Sequence, residues 1–247
     1  MIVWFCIPSI RPLAELQICL QQWRAMGYRI ALLRQGESAA HLCDMEIPTK
    51  TYLGWARSTN ILCREVLSKD QACNWCVGGG DDYLPDLAHP AEEIAARCVA
   101  HFQGTFGVMQ PTGDRWCDTP DSQRQYGENR GAIIDRIAGS PWLGREWCDR
   151  SYQGHGPMCE EYHHIYADEE LQEVATKLGV FWQCRDLIQL HEHPLRRSEG
   201  RESDWPDFLK PINTPENWQR EMGRFHERKA AGFPGSEPLP TSEAVRV

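Results

Sequence analysis

The first 34 residues alternate between continuous apolar runs and one amphipathic segment. Residues 2–7 are apolar and end at a Pro-Ser-Ile-Arg-Pro loop, and residues 28–33 form a second apolar run. Between these runs, apolar side chains recur at spacings of three and four, at Leu13, Leu16, Leu20 and Trp23. Continuous runs indicate buried strands, and this spacing indicates a helix, which Gly27 ends. The pattern predicts a β-α-β unit of a parallel sheet, with its first loop at the carboxyl end of a strand.

The same alternation of strand and helix continues to about residue 110. Residues 58–68 predict a helix that leads into a strand at residues 75–77. Another helix is expected to begin at Pro90, because proline is favoured in a first helical turn and apolar residues then recur on one face. Up to this point the chain is therefore predicted to be α/β.

The pattern changes after residue 110. Residues 111–130 are polar and turn-rich, residues 133–138 form a short apolar run, and residues 140–157 have the character of a loop with two tryptophans. A helix is then predicted to begin at Asp168 and to end at Gly179. Two short strands follow, at residues 180–182 and 187–190.

Most of the predicted core falls within residues 1–194, which we interpret as one domain. Beyond residue 194 the composition becomes charged and rich in proline. We therefore expect residues 195–232 to form a partly helical appendage and residues 233–247 to form a disordered tail.

Composition and charge narrow the class of protein. The apolar fraction of 41% is sufficient for a packed core. No stretch approaches the roughly 20 apolar residues that cross a bilayer, and the first eight residues lack the basic start of a signal peptide. The net charge of −9 argues against a generally basic surface that coats nucleic acid.

Cysteine usage indicates the redox setting. The eleven cysteines are scattered through predicted strands and helices and do not frame a small disulfide scaffold. Cys73 and Cys76 form a Cys-x-x-Cys pair, but no second pair follows at zinc-ribbon spacing, so we interpret them as core residues. We expect a reducing, cytoplasmic environment.

The strand predicted before residue 78 ends in an unusual sequence. Three glycines, Gly78 to Gly80, lead into the adjacent carboxylates Asp81 and Asp82. Glycines allow a ligand or another backbone to approach closely, and buried carboxylates need a metal ion or a basic partner. A solvated Gly-Asp-Asp turn is the alternative interpretation.

Two further groups are predicted at the ends of elements: residues 8–12 after the first strand, and Asp168 at a helix start. In open α/β sheets, ligands bind outside the carboxyl ends of the strands. Carboxylates and glycines clustered there suit a divalent cation that holds a diphosphate. For Asp168 the alternative role is that of a helix N-cap, a position that aspartate favours.

The segments, in their order, resemble the GT-A nucleotide-sugar glycosyltransferases, especially the family-two-like enzymes. IPSIRP (residues 7–12) is similar to the first nucleotide-binding loop, and YLGWARSTN (residues 52–60) is similar to the segment that closes over the donor. GGDDYLPD (residues 79–86) resembles the Asp-x-Asp motif, and ADEEL (residues 167–171) resembles the Glu-Asp motif. The sequence departs from the family motifs in two places. The Asp-x-Asp motif reads Gly80-Asp81-Asp82, and Ala167 stands where the Glu-Asp motif has glutamate.

This resemblance, which runs over residues 1–194, implies a GT-A (Rossmann-like) fold with a mixed, mainly parallel sheet flanked by helices. It implies a nucleoside-diphosphate sugar as donor and Mn²⁺ or Mg²⁺ as cofactor. Asp82 matches the metal ligand, and His191 or His193 is similar to the late metal ligand of some members. Asp168 keeps the position of the base, which implies an inverting transfer to an acceptor hydroxyl.

Further residues are candidates for substrate binding. On the donor side they are Pro8, Ser9, Arg11, Arg57, Asn60 and Asp81, with the two arginines suited to phosphate oxygens. On the acceptor side, Trp142 and Trp147 precede the candidate base, and aromatic faces stack on sugars and bases. Surface solvation of the arginines and core packing of the tryptophans are the alternatives.

Other functions also fit the pattern. A nucleotidyltransferase uses strand-end carboxylates too, but it would favour a Gly-rich basic first loop, and IPSIRP offers a single arginine. A degenerate glycosyltransferase domain acting as a sugar-nucleotide-binding module is a non-enzymatic alternative. The acceptor is expected to be a soluble glycan or small molecule, or a hydroxymethylated DNA base, as in small bacteriophage-type enzymes.

Overall fold

A seven-stranded mixed sheet forms the centre of the fold. The structure, a computed structural model, describes residues 1–111, 139–191, 207 and 210–240. The strands are β1 (Ile2–Ser9), β2 (Arg29–Gln35), β3 (Met45–Thr49), β4 (Cys73–Val77), β5 (Tyr83–Leu84), β6 (Val108–Pro111), β7 (Trp142–Gly144), β8 (Phe181–Cys184) and β9 (Leu190–His191). The α-helices are α1 (Leu13–Ala25), α2 (Trp55–Lys69), α3 (Ala91–Phe102), α4 (Arg145–Arg150), α5 (Ala167–Lys177) and α6 (Pro215–Ala230).

The strand order is β3-β2-β1-β4-β7-β6-β8, and β5 pairs with β9 in a separate two-stranded sheet. β1 runs parallel to both β2 and β4, β2 runs parallel to β3, and β6 runs parallel to β8. Only β7, among the described strands of the large sheet, runs antiparallel to its neighbours. The sheet is thus mainly parallel, and the chain reverses its direction of winding between β1 and β4, which is where α/β folds form a ligand crevice.

Helices cover both faces of the sheet, so the central strand β1 is buried on both sides. Trp4 and Cys6 face one core, together with side chains of α2, α4, α5 and α6. Val3, Phe5 and Ile7 face the other core, with side chains of α1 and α3. A strand covered on both faces needs apolar residues at every position, which explains the continuous run of residues 2–7.

The predicted β-α-β unit is confirmed, because β1, α1 and β2 follow one another and the two strands are parallel. The helices expected over residues 58–68, from Pro90 and from Asp168 correspond to α2, α3 and α5. The prediction of a loop over residues 140–157 was wrong, since residues 142–150 form β7 and α4. The apolar run at residues 133–138 lies outside the described residues.

Helix α6, in the segment expected to be an appendage, packs against the domain through a buried ion pair. The Nε and one terminal nitrogen of Arg228 lie 2.8 Å from the two carboxylate oxygens of Glu170 on α5. Glu170 is fully buried and also accepts a hydrogen bond from the Tyr162 hydroxyl at 2.8 Å. Residues 210–230 are therefore an integral part of the domain around the cavity, not a separate unit.

We expect Arg228→Met to lower the free energy of unfolding by roughly 3–5 kcal/mol, because it leaves Glu170 charged and buried without its partner. The matched control is Lys229→Met, which removes a half-exposed ion pair to Glu173 and should cost less than about 1 kcal/mol. Urea unfolding of both variants measures the difference. Equal losses in the two variants would show that the buried pair does not hold α6 in place.

Part of the segment expected to be a disordered tail packs against the domain. Phe233 is buried, the Gln153 N–H donates to the Glu237 carbonyl at 3.0 Å, and the Leu239 N–H donates to the Arg150 carbonyl at 2.8 Å. Residues 233–240 therefore pack against the domain, because an aromatic anchor and backbone hydrogen bonds offset their chain entropy. Residues 241–247 lie outside the described residues.

Within the described part of the chain, none of the helices has the length and apolar character needed to cross a membrane. The ten cysteines of the described residues are all free thiols.

Candidate active site

A cavity of about 460 Å³ opens at the carboxyl ends of strands β1 to β4. Strand ends and loops far apart in the sequence contribute to it. Its lining includes Ser9 and Arg11 after β1, residues 79–83 after β4, Asp168 on α5 and His191 on β9. All four predicted segments (residues 7–12, 52–60, 79–86 and 167–171) thus contribute to one cavity, as expected for strand ends at a switch point.

The cavity extends across four neighbouring strands. Thr49 ends β3, Gln35 ends β2, Ser9 ends β1, and Gly79 follows β4. Strands in a sheet are about 4.8 Å apart, so the distance from β3 to β4 is roughly 14 Å. That distance is suited to an extended ligand with several chemical groups in a row.

The glycines after β4 let the chain turn closely into the carboxylates. Gly79 has a φ of 139°, and its carbonyl accepts a hydrogen bond from the Trp55 indole at 2.9 Å. A Cβ on Gly80 would lie 2.5 Å from a carboxylate oxygen of Asp82. A side chain at position 80 would therefore displace Asp82.

Asp81 is held by the loop that follows β1. Its carboxylate accepts a hydrogen bond from the Ser9 hydroxyl at 2.6 Å and lies 3.2 Å from Nε of Arg11. Burial raises the pKa of the Asp81 carboxyl, and the Arg11 guanidinium opposes that shift. The buried Arg34 in turn donates to the Ser9 hydroxyl at 3.2 Å. Asp81 thus joins the β1 loop to the β4 loop.

Asp82 faces His191 because β5 pairs with β9. The antiparallel register sets Tyr83 opposite His191, and their rings stack with centroids 4.0 Å apart. Nε2 of His191 lies 3.3 Å from a carboxylate oxygen of Asp82. The Trp23 indole, which donates to the Tyr83 carbonyl at 2.8 Å, fixes the strand that carries this pair. His193, the other predicted histidine, lies outside the described residues.

Asp168 occupies the second position of α5 and is not its N-cap, which is Tyr166 in the left-handed region at φ 68°. Burial raises the pKa of the Asp168 carboxyl to about 6, although the N–H groups of Asp168 and Glu169 donate to it. A carboxylate with a pKa close to neutrality is suited to act as a general base.

Tyr52, His163 and His164 form another wall of the cavity. The Tyr52 hydroxyl lies 2.6 Å from Nδ1 of His164. Burial lowers the pKa of His164 to about 4, so the ring is neutral at physiological pH. Glu221 of α6 accepts a hydrogen bond from the His163 N–H at 2.8 Å. Helix α6 thereby supports this wall.

Sequence reasoning missed part of the lining. The adjacent His163 and His164, five and four residues before Asp168, were not among the predicted site residues, although both line the cavity. Ile212 and Asn213, which also line the cavity, belong to the segment expected to be an appendage. Only the packing of α6 brings them to the site.

Two predicted donor-side residues do not line this cavity. The Arg57 side chain is 59% exposed, and its Nε lies 3.9 Å from Glu160. Asn60 is buried, and its amide donates to the Met158 carbonyl at 2.8 Å and accepts from the Met158 N–H at 3.1 Å. Asn60 therefore holds the loop around residue 158.

The structure differs from the expectation of an acceptor platform at Trp142 and Trp147. Both are fully buried. The Trp142 indole donates to the Gln189 side chain at 2.7 Å, and the Trp147 indole donates to the Pro157 carbonyl at 3.2 Å. Neither ring offers a face to a ligand, since β7 and α4 place both in the core.

The Asp82 and His191 donor set fits a divalent cation. A carboxylate oxygen and an imidazole nitrogen lie at hydrogen-bonding distance from each other on the cavity wall. Mg²⁺ takes almost only oxygen ligands, whereas first-row transition-metal ions also accept imidazole. The mixed set is therefore compatible with a divalent transition-metal ion.

No protein-family model matches the sequence, and no curated protein matches it. Among solved structures, the chain is similar to the catalytic domain of Drosophila β1,4-galactosyltransferase 7 in complex with xylobiose. The TM-score is 0.50 and the identity is 11%, and the match covers 86% of this chain and 79% of that one. It is also similar to the M. tuberculosis glucosyl-3-phosphoglycerate synthase, with a TM-score of 0.46, 12% identity and coverage of 79% and 74%. A third similar structure is a glycosyltransferase involved in glycosylation of the major capsid of PBCV-1, with a TM-score of 0.47, 6% identity and coverage of 81% and 96%.

The similarity to the Drosophila domain establishes the fold of the chain. Together with the mainly parallel seven-stranded sheet, it confirms the expected GT-A, Rossmann-like fold.

Proposed function

We propose that this protein is a metal-dependent glycosyltransferase that moves a sugar from a nucleoside-diphosphate donor to an acceptor hydroxyl. The observation that carries the proposal is the meeting of the Asp82–His191 pair and Asp168 at one cavity. These residues come from three separate segments of the chain. The Asp82–His191 pair is suited to bind a cation, and the Asp168 carboxylate is suited to accept a proton.

The donor is proposed to lie across the carboxyl ends of β3, β2, β1 and β4. Its nucleoside would occupy the end near Thr49 and Gln35, and its diphosphate would lie near Ser9 and Asp82. The roughly 14 Å between β3 and β4 suits a nucleoside diphosphate, which has these groups in a row. Arg11 lines the same region, and its guanidinium provides positive charge beside the diphosphate position.

Asp82 and His191 would hold the cation, and Asp81 would support them through its bonds to Ser9 and Arg11. When bound, a divalent cation stabilises the negative charge that a diphosphate leaving group gains. Asp82 is placed by the Gly80 turn, and His191 is placed by its stacking on Tyr83. Both ligands are therefore oriented before the cation arrives, which lowers the cost of binding.

Asp168 would act on the acceptor. Its carboxylate would accept the proton of the acceptor hydroxyl as that oxygen forms a bond to the anomeric carbon. The bond between the anomeric carbon and the diphosphate oxygen breaks, and its electron pair leaves with the nucleoside diphosphate. A single displacement of this kind inverts the anomeric configuration.

The wall formed by Tyr52, His163, His164 and Asn213 is the proposed acceptor side. It offers a neutral imidazole, an amide and aromatic surface. The only Lys or Arg side chain among the described lining residues is Arg11, which is paired with Asp81. These groups favour an uncharged polyhydroxylated acceptor such as a glycan, since a DNA acceptor would require contacts to phosphates.

The experiment that tests the proposal measures binding and turnover in turn. Nucleoside diphosphates at about 100 times Kd should stabilise the native protein by about 2.7 kcal/mol, and this gain should require Mn²⁺. Nucleotide sugars should then be hydrolysed slowly with Mn²⁺, and faster with a suitable acceptor. The site variant for both measurements is Asp82→Asn. Its matched control is Asp44→Asn, which changes a carboxylate that pairs with Arg24 outside the cavity.

Three other outcomes would contradict the proposal in different ways. Mn²⁺-dependent binding without hydrolysis or transfer of any nucleotide sugar would indicate a binding module. Release of pyrophosphate from a nucleoside triphosphate would indicate a nucleotidyltransferase. Transfer to a hydroxymethylated DNA base, with binding that weakens steeply as salt rises, would reject the uncharged acceptor.

A further inference from the structure

Buried thiols from three separate elements converge on one face of the sheet. The Sγ atoms of Cys6 on β1, Cys63 on α2 and Cys76 on β4 all lie within 4.8 Å of one another. All three side chains are completely buried. Cys148 on α4 is also buried in this core.

This grouping differs from the ordinary burial of cysteines as small apolar residues. Cys19, Cys98 and Cys184 are just as buried, but they pack in the core on the opposite face of the sheet. The described residues of that core contain no comparable group of three metal-ligating side chains. Burial alone therefore does not gather the sulfur atoms, whereas a shared ligand would.

We infer that Cys6, Cys63 and Cys76 bind one thiophilic metal ion, with Cys148 as the fourth sulfur ligand of a zinc site. Zinc in structural sites is tetrahedral with Zn–S bonds of about 2.3 Å, which sets neighbouring sulfur atoms roughly 3.8 Å apart. The observed upper limit of 4.8 Å among Cys6, Cys63 and Cys76 requires only small movements of these three thiols to reach that spacing. As each sulfur–metal bond forms, the thiol releases its proton to solvent.

A basic side chain lies near the cluster. The Arg145 guanidinium donates to the Cys73 carbonyl at 2.7 Å, and the Cys73 thiol lies 4.0 Å from the Cys76 thiol. A positive charge there partly offsets the negative charge of a metal–thiolate centre.

The position of the cluster indicates what the metal would do. Cys6 precedes the cavity residue Pro8 by two positions, Cys76 precedes Gly79 by three, and Cys63 lies about two turns after Trp55. A metal would therefore fasten β1, β4 and α2 together beneath the cavity that their ends form. The inferred role is structural, and it does not depend on the proposed glycosyltransferase activity.

The test measures metal content and metal spectra of the full chain. We expect one tightly bound zinc ion per chain after purification without added metal, measured by elemental mass spectrometry. Replacement by Co²⁺ should give the thiolate-to-metal charge-transfer and tetrahedral bands of a sulfur-rich site. Asp82→Asn should keep both signals, which distinguishes this site from the cavity.

The variant Cys63→Ser, Cys76→Ser should lose the metal and the cobalt bands, while the matched control Cys98→Ser should keep them. If the double variant fails to fold, the metal content and cobalt spectrum of the wild-type protein still decide the question. Bound Cu⁺ in place of zinc would support a thiophilic site with three ligands. Wild-type protein without bound metal and without cobalt–thiolate bands would overturn the inference.

Discussion

Asp82→Asn should lower kcat/KM for sugar transfer by at least about a hundredfold and should abolish the stabilisation by Mn²⁺ and nucleoside diphosphate together. Metal ligation of a leaving group supplies several kcal/mol, and each 1.36 kcal/mol corresponds to about tenfold in rate. Asparagine keeps the size of the side chain and an acceptor oxygen but removes the charge that holds a cation. Steady-state kinetics and thermal shifts with and without Mn²⁺ measure both effects.

The partner variant makes this test sharper. His191→Gln should also reduce activity, because its Nε2 lies 3.3 Å from the Asp82 carboxylate. If both residues hold one cation, the double variant should have about the same kcat/KM as the less active of the two single variants. Effects of groups that act as a unit do not add. Fully additive losses, or an unchanged Mn²⁺ response in Asp82→Asn, would show that the two residues do not share a metal.

Asp168→Asn should reduce kcat by roughly 10²–10⁴-fold, the usual contribution of a general base. In the wild-type protein, kcat/KM should fall as the pH drops below about 6, because burial raises the pKa of the Asp168 carboxyl to that value and only the ionised form accepts a proton. The matched control is Glu169→Gln, which changes the next carboxyl in the first turn of α5. Full activity in Asp168→Asn would reject its role as base.

The Asp168→Asn variant should also be more stable than the wild-type protein at neutral pH. A carboxyl whose pKa is raised on folding is harder to ionise in the folded state than in the unfolded state. That cost is absent below about pH 4, grows between pH 4 and 6, and reaches up to about 3 kcal/mol above pH 6. Asparagine removes it while keeping an acceptor for the N–H groups at the start of the helix.

Urea unfolding at two pH values measures this effect. Asp168→Asn should have a larger free energy of unfolding than wild type at pH 7.5 and nearly the same value at pH 4. A carboxyl whose pKa is lowered on folding would behave in the opposite way, because its ionised form would stabilise the folded state. Lower stability of the variant at pH 7.5 would therefore contradict the raised pKa of Asp168.

Local periodicity was sufficient for much of the fold, because strands and helices with one buried face have characteristic spacings. The elements β1, α1, β2, α2 and α3 were all predicted near their observed positions. β7 was missed because three residues, Trp142 to Gly144, are too few to show a period. Their strand conformation depends on pairing with β4 and β6.

The candidate site was partly predictable for a related reason. Asp82 and Asp168 were predicted because each is a carboxylate at the end of an element, and His191 was predicted from the resemblance to the GT-A enzymes. Trp142 and Trp147 were assigned to the acceptor because aromatic faces in a predicted loop can stack on sugars and bases. That assignment failed when the segment proved to be β7 and α4, whose side chains are buried.

The amino-acid sequence by itself determined which segments become buried strands and helices, and that carboxylates follow a strand at Gly80. Short-range spacing carries that information because it depends only on neighbouring residues. The tertiary structure alone decided that β5 pairs with β9, so that Asp82 faces His191, and that α6 returns to the cavity through Arg228 and Glu170. It also decided that Cys6, Cys63 and Cys76 meet beneath the site. Contacts of this kind join residues far apart in the chain, and the packing of the whole domain fixes them.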